Sequence, residues 1–215
     1  MKKITHNIDL KEIEKKTWRS TLEDGLLDIY FGILVLSIGI GITLGDLLPE
    51  PFDSLLPIIL MIIGLILFLL GKKFITQPRL GVVKFGFRQK SRKRKTVIVL
   101  SINSIILLIL FIIRLINPEL GLILPGYIEG LIIGLLFITV PLCFAAYFLQ
   151  YERLYYIAVL VGLSFFLSDL LSIIIPEPFD ALAAFSITSS VIIFLGIISL
   201  VKFFRKYPLS KEENN

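Results

Sequence analysis

A chain of 215 residues with one histidine and one cysteine has little from which to build a reaction. His6 lies in a polar N-terminal segment, and Cys143 lies inside an apolar stretch. Ser–His and Cys–His nucleophile pairs need both partners within hydrogen-bond reach, so this placement speaks against them. One cysteine excludes an internal disulfide and a cysteine-cluster metal site. No H-E-x-x-H, no G-x-x-x-x-G-K-[ST] and no G-x-G-x-x-G after a strand is present. These absences weigh against most enzyme classes. The sequence predicts a noncatalytic protein with no cofactor and no bound metal.

Ionisable residues in apolar surroundings are the remaining candidates. Asp46, Arg114 and Asp169 precede Pro49, Pro118 and Pro176 by three, four and seven residues, which gives them similar depth. A charge at the centre of a span costs about 2.5–3.5 kcal/mol on insertion scales, so it faces the bundle interior or water. With Glu129, these residues would line a polar site. Arg114 would pair with an anionic group, or the carboxylates would hold a cation. The plainer reading is a structural ion pair near the headgroups, with Glu129 serving a helix N-terminus. Asn103, deep in its stretch, suits an interhelical hydrogen bond. Asp28 begins the first stretch from the other side and is placed to pair with a neighbouring base. No file of carboxylates crosses the middle, which speaks against a proton pump.

The elements that must carry these residues follow from composition. The chain is 56% hydrophobic and 18% charged, against roughly 25% charged in a soluble domain. Its mean hydropathy is +0.89. Six apolar runs approach the length of about twenty residues that a helix needs to cross a bilayer. They are about 26–48, 54–70, 96–116, 127–149, 154–175 and 181–204. The runs do not alternate, so helices rather than barrel strands are expected. The predicted fold class is an all-α polytopic membrane protein of six transmembrane helices. Residues 1–25 form a cytoplasmic amphipathic segment, too polar for a signal peptide, that lies on the membrane surface or docks on the bundle. Residues 26–204 form the transmembrane domain, and 205–215 a cytoplasmic tail.

Pro49-Glu50-Pro51-Phe52-Asp53 recurs as Pro176-Glu177-Pro178-Phe179-Asp180. Each copy follows an Asp-Leu-Leu, Asp46-Leu47-Leu48 or Asp169-Leu170-Leu171, and precedes a span that ends in basic residues. Asn117-Pro118-Glu119 marks a weaker third copy. The chain therefore reads as three repeated hairpins, about 26–71, 96–149 and 154–204, with two- or threefold internal symmetry. Proline ends one helix, and Asp53 or Asp180 is expected to cap the next. Small residues at Ser37, Gly41 and Gly45, at Gly126, Gly130 and Gly134, and at Ser164, Ser168 and Ser172 predict close helix packing.

Charge sets the expected direction. Eight acids and Arg114 lie on the side of the repeated prolines. The other side holds 21 of the 22 Lys and Arg residues and 9 of the 17 Asp and Glu residues. The positive-inside rule places this basic side, with both termini, in the cytoplasm of a cell membrane. Ten of these basic residues, and no acid, fall in a loop at 72–95. Its segment 77–87 has the β-branched and aromatic pattern of a short strand or hairpin. Lys84, Arg88, Lys90, Arg92, Lys93, Arg94 and Lys95 form a surface for anionic lipid or an acidic cytoplasmic partner. The blandest role for these charges is orientation alone. Lipid is the simpler partner, and no nucleic acid is expected. A second copy of the chain or a partner subunit is the other partner expected.

Two functions fit. One is a small-solute or ion transporter, or the substrate-binding membrane subunit of one. The other is a noncatalytic membrane scaffold.

Overall fold

The computed structural model describes residues 18–49, 51–81, 87–116 and 126–208. Helix α1 is Leu26–Leu47. Helix α2 is Phe52–Gly71, continued by a π turn at Lys72–Thr76 and a final turn at Gln77–Leu80. Helix α3 is Phe87–Ile116. Helix α4 is Gly126–Ile132, a π turn at Ile133–Thr139, and Val140–Leu149. Helices α5 and α6 are Arg153–Leu171 and Phe179–Lys206. Among the described residues there is no strand. Five stretches are long and apolar enough to cross a membrane: Trp18–Gly45, Phe52–Leu80, Gly130–Leu149, Arg153–Leu171 and Phe179–Lys206. Helix α3 contains the sixth apolar run, 96–116. The protein is an integral membrane protein, all-helical over the described residues.

The helices pack in the order α2, α1, α6, α5, α4, α3. The central pair is α1 with α6. In α1 and α6, 39% of the most apolar window is buried, against 17% in α2, so α2 is peripheral. The core joins Val35 of α1 to Leu154, Ile157 and Val161 of α5 and to Phe185 and Ile192 of α6. The Phe165 and Phe185 rings meet edge to face at 5.1 Å.

Backbone contact makes this packing possible. Gly25 has φ 79° in the turn before α1, and a Cβ there would strike the Gly196 carbonyl of α6. Gly134 of α4 and Gly162 of α5 touch through their backbones. Of the small-residue faces, Gly130 and Gly134 do meet α5, and Gly41 faces Pro57 of α2. Gly45 faces open space, and the close face of α1 is instead Gly25, Gly32 and Gly39, turned toward α6. The π turn in α4 serves the same contact. Thr139 Oγ1 lies 3.1 Å from both Gly134 O within α4 and Ala158 O of α5, and its one proton is shared between the two carbonyls. Asn103 Nδ2 donates to Phe137 O at 3.1 Å, the interhelical bond expected of it.

Three sequence expectations change. The stretch 87–95 is helical, not loop, because α3 begins at Phe87. Lys, Arg and Gln are good helix formers, and turns beyond the apolar run need no buried face. Gln77–Leu80 closes α2 as a helical turn rather than opening a strand; 82–86 lie outside the described residues. Asp53 and Asp180 sit in the first turns of α2 and α6, not at the cap position. Pro51 (φ −95°, ψ 9°) and Pro178 (φ −95°, ψ 12°) take that position. Phe52 N donates to Pro49 O at 3.1 Å, and Phe179 N to Pro176 O at 3.0 Å. Both acids still suit the positive end of a helix dipole. Asp53 Oδ1 accepts from Ser54 N at 2.7 Å. The N-terminal segment before Trp18, the segment 117–119 and the tail beyond Pro208 lie outside the described residues.

Close approach sets a graded cost. Gly25→Ala and Gly134→Ala should each lower stability by about 1–3 kcal/mol, the usual cost of overpacking. Gly45→Ala should leave it unchanged, as read by thermal unfolding in detergent.

Candidate functional site

Residues 18–25 decide how the basic end is built. Residues 18–22 are helical, and the chain then turns through Glu23, Asp24 and Gly25 into α1. Trp18 and Asp24 are buried, Asp24 completely. A carboxylate taken from water must be given donors. Asp24 Oδ1 accepts Leu26 N at 3.2 Å across the turn. Asp24 Oδ2 accepts Lys72 Nζ at 2.6 Å and Thr76 Oγ1 at 2.5 Å, both from the π turn of α2. Lys72 Nζ also donates to Thr21 O at 2.5 Å.

The same segment reaches the other side of the bundle. Trp18 Nε1 donates to Leu149 O at 2.8 Å, satisfying a carbonyl at the end of α4. Lys93 Nζ lies 5.0 Å from the centroid of the Trp18 ring. Arg19 pairs with Glu152 at 3.0 Å on the surface. Residues 18–24 are therefore docked on the bundle.

One turn further along, Asp28 is 2% exposed. It accepts a short hydrogen bond from the Tyr151 hydroxyl and an ion pair from Arg153 Nη1 at 3.3 Å. This is the neighbouring base that its position called for. Burial, and then the charge of Asp28, push the Tyr151 phenol above the usual tyrosine range. Arg79, at the end of α2, donates to Tyr207 O at 2.9 Å and lies over the Phe204 ring of α6 at 4.6 Å. Together these contacts form an ionic layer that ties the ends of α1, α2, α4, α5 and α6.

Clefts open beside this layer, and two of them join charge to apolar walls. One, of about 270 Å³, lies between α5 and α6 and includes Asp28, Arg153 and Lys202 in its walls. The other, of about 420 Å³, lies beneath Trp18 and is lined by Phe68, Lys72, Leu80 and Lys93.

The outer ionisable residues expected from the sequence lie away from this layer. Asp46 falls on α1, Arg114 on α3 and Glu129 on α4, with their side chains outside the described residues. Asp169, on α5, packs against Gly130 of α4, where an added Cβ would strike its Oδ2. Of the basic residues, Lys90, Arg92, Lys93, Arg94 and Lys95 ride the first turns of α3. Lys90, Arg94 and Lys95 are exposed, and Arg92 is partly buried. Lys93 alone among them faces an aromatic ring. Lys84 and the Arg88 side chain lie outside the described residues. Sequence reading missed Asp24, Tyr151 and Arg153. Their signal was available as polar residues at the water-facing edges of apolar runs, on the side read for orientation and for a basic surface at 84–95.

Compared with known proteins, the chain matches no family, no curated relative and no solved structure. Fold and site define a class: an integral membrane protein whose helices are bound together by a buried ionic layer at one end.

Asp24→Ala leaves the Lys72 ammonium without its carboxylate. Breaking a buried pair costs about 3–5 kcal/mol, and a loss at the lower end is expected here because Lys72 is 21% exposed. Asp24→Leu combined with Lys72→Met should recover most of that loss. Arg19→Ala, at an exposed pair, should cost less than about 1 kcal/mol. Thermal unfolding of the four proteins in one detergent checks the ranking.

Proposed function

We propose that this protein is a noncatalytic membrane scaffold whose basic end faces the cytoplasm and gathers anionic lipid headgroups. The observation that carries the reading is the division of labour at that end. Asp24, Asp28 and Lys72 are spent on holding helices together, while Lys90, Arg94 and Lys95 stay exposed on the first turns of α3. Exposed juxtamembrane cations attract acidic lipid at about 1 kcal/mol each. The positive-inside rule supports the orientation, with both chain ends on the cytoplasmic side. The three-hairpin repeat is supported by the matching angles at Pro51 and Pro178. It is also supported by the packing order, in which the first helix of one hairpin meets the second of another at α1 with α6 and at α5 with α4. Lipid extracted with the protein in polymer-bounded native discs should be enriched in acidic species over the bulk membrane. Neutralising Lys90, Arg92, Arg94 and Lys95 to Gln should lower that enrichment at least twofold. An unchanged ratio in a folded variant would overturn the scaffold reading.

A second reading keeps a solute or ion site at the opposite end. It is favoured by the packing of Asp169 on Gly130, the residue after Glu129. Asp46→Asn with Asp169→Asn should then abolish solute binding and flux in reconstituted vesicles, and full retention of both would end it.

A further inference from the structure

The cleft between α5 and α6 has a pattern that the basic stretch of α3 lacks. Arg153 opens α5, and Ile157 and Leu160 follow it four and seven residues later. Lys202 lies near the end of α6, and Ile198 and Leu195 precede it by four and seven. Residues at such spacing share one helix face. Two stripes therefore line one cleft, each with a cation at the basic end and branched aliphatic residues beneath it. Seven residues of helix span about 10 Å, so the aliphatic floor runs from the headgroup level into the hydrocarbon layer.

The charges at the mouth are unequal. Asp28 is the one carboxylate among the lining residues of the cleft. It is already engaged by Tyr151 and by a single nitrogen of Arg153, at 3.3 Å. The Arg153 side chain is 38% exposed. Lys202 is exposed and forms no ion pair among the described residues. Two cations against one occupied carboxylate leave the mouth positive by one charge, the complement of one phosphodiester. Ser199 does not compete, since its hydroxyl donates to Leu195 O within α6 at 2.8 Å.

We propose that this cleft is a binding site for a single acidic phospholipid, with its phosphate between Arg153 and Lys202 and one acyl chain along Ile157, Leu160, Leu195 and Ile198. Basic pockets between transmembrane helices are a known way of holding such headgroups. The site deepens the reading of a lipid-gathering basic end, and it uses residues other than those of α3.

Native mass spectrometry of the whole chain in neutral detergent, titrated with phosphatidylglycerol or phosphatidylcholine, tests it. One phosphatidylglycerol per chain should be retained at least tenfold more tightly than phosphatidylcholine. Lys202→Gln, at an exposed position, should weaken it at least fivefold, and Leu195→Trp should fill the slot and remove the adduct. Glycerol phosphate at millimolar concentration should not displace the lipid. Equal retention of the two lipids, or retention unaffected by Lys202→Gln, would overturn the site. Displacement by glycerol phosphate would overturn the assignment to lipid. The α3 variant separates the two readings. A persistent adduct with lost bulk enrichment supports both as distinct, whereas loss of the adduct there would overturn the cleft assignment.

Discussion

A carboxylate sealed from water dictates the company it keeps, and Asp24 dictates most of the basic end. Its three donors come from two places in the chain: its own turn, and the π turn of α2. Once Asp24 is held, the turn at Gly25 is held with it. Gly25 is the point where the chain rests on the Gly196 carbonyl of α6. Removing side-chain bulk there lets α1 and α6 come into backbone contact, and that pair forms the centre of the bundle. The ionic tie and the glycine contact are thus consecutive residues of one device. One supplies attraction, and the other removes the obstacle to it. Within lipid, helices gain little from apolar burial against each other, so close packing and polar links carry the association.

Second in consequence is the asymmetry of that layer. Asp28 faces α5 while Asp24 faces α2, so α1 sits between two ionic contacts of opposite direction. Helix α2 meets the rest mainly through α1, and α3 mainly through α4. The aliphatic side chains that α2 and α3 leave exposed, such as Ile59, Ile62, Ile105 and Leu108, suit a hydrocarbon solvent. Apolar exposure of this extent would be a liability in water.

The apolar helices were legible because their runs are long and the bilayer sets a fixed length. The prolines of the repeated segments correctly marked the turns at Pro51 and Pro178. The starts of α2, α3 and α6 were less legible. Asp53 and Asp180 look like caps in the sequence, but proline fixes its own φ and takes the preceding position. Arg88 to Lys95 looks like a loop because it is charged, yet charged side chains on a helix can all reach water at a membrane edge. The ionic layer was the least legible part. Asp24 and Lys72 are 48 residues apart, and Asp28 and Tyr151 are 123 apart. No local pattern announces a pair at such separations. The residues that stand out by hydropathy, Asp46, Arg114 and Asp169, belong to the opposite end, which drew attention away from the side where charge is common.

Those two separations have a consequence for how the chain is made. A ribosome delivers Lys72 and Thr76 soon after Asp24, so the first two helices carry a complete ionic contact between themselves. Asp28 must wait for Tyr151 and Arg153, which arrive only after four helices have been synthesised. Until then its carboxylate needs water, so the basic end of α1 has to stay at the membrane surface while the next helices enter. The first hairpin is self-sufficient in charge at one aspartate and indebted at the other, and only the arrival of α5 settles its depth.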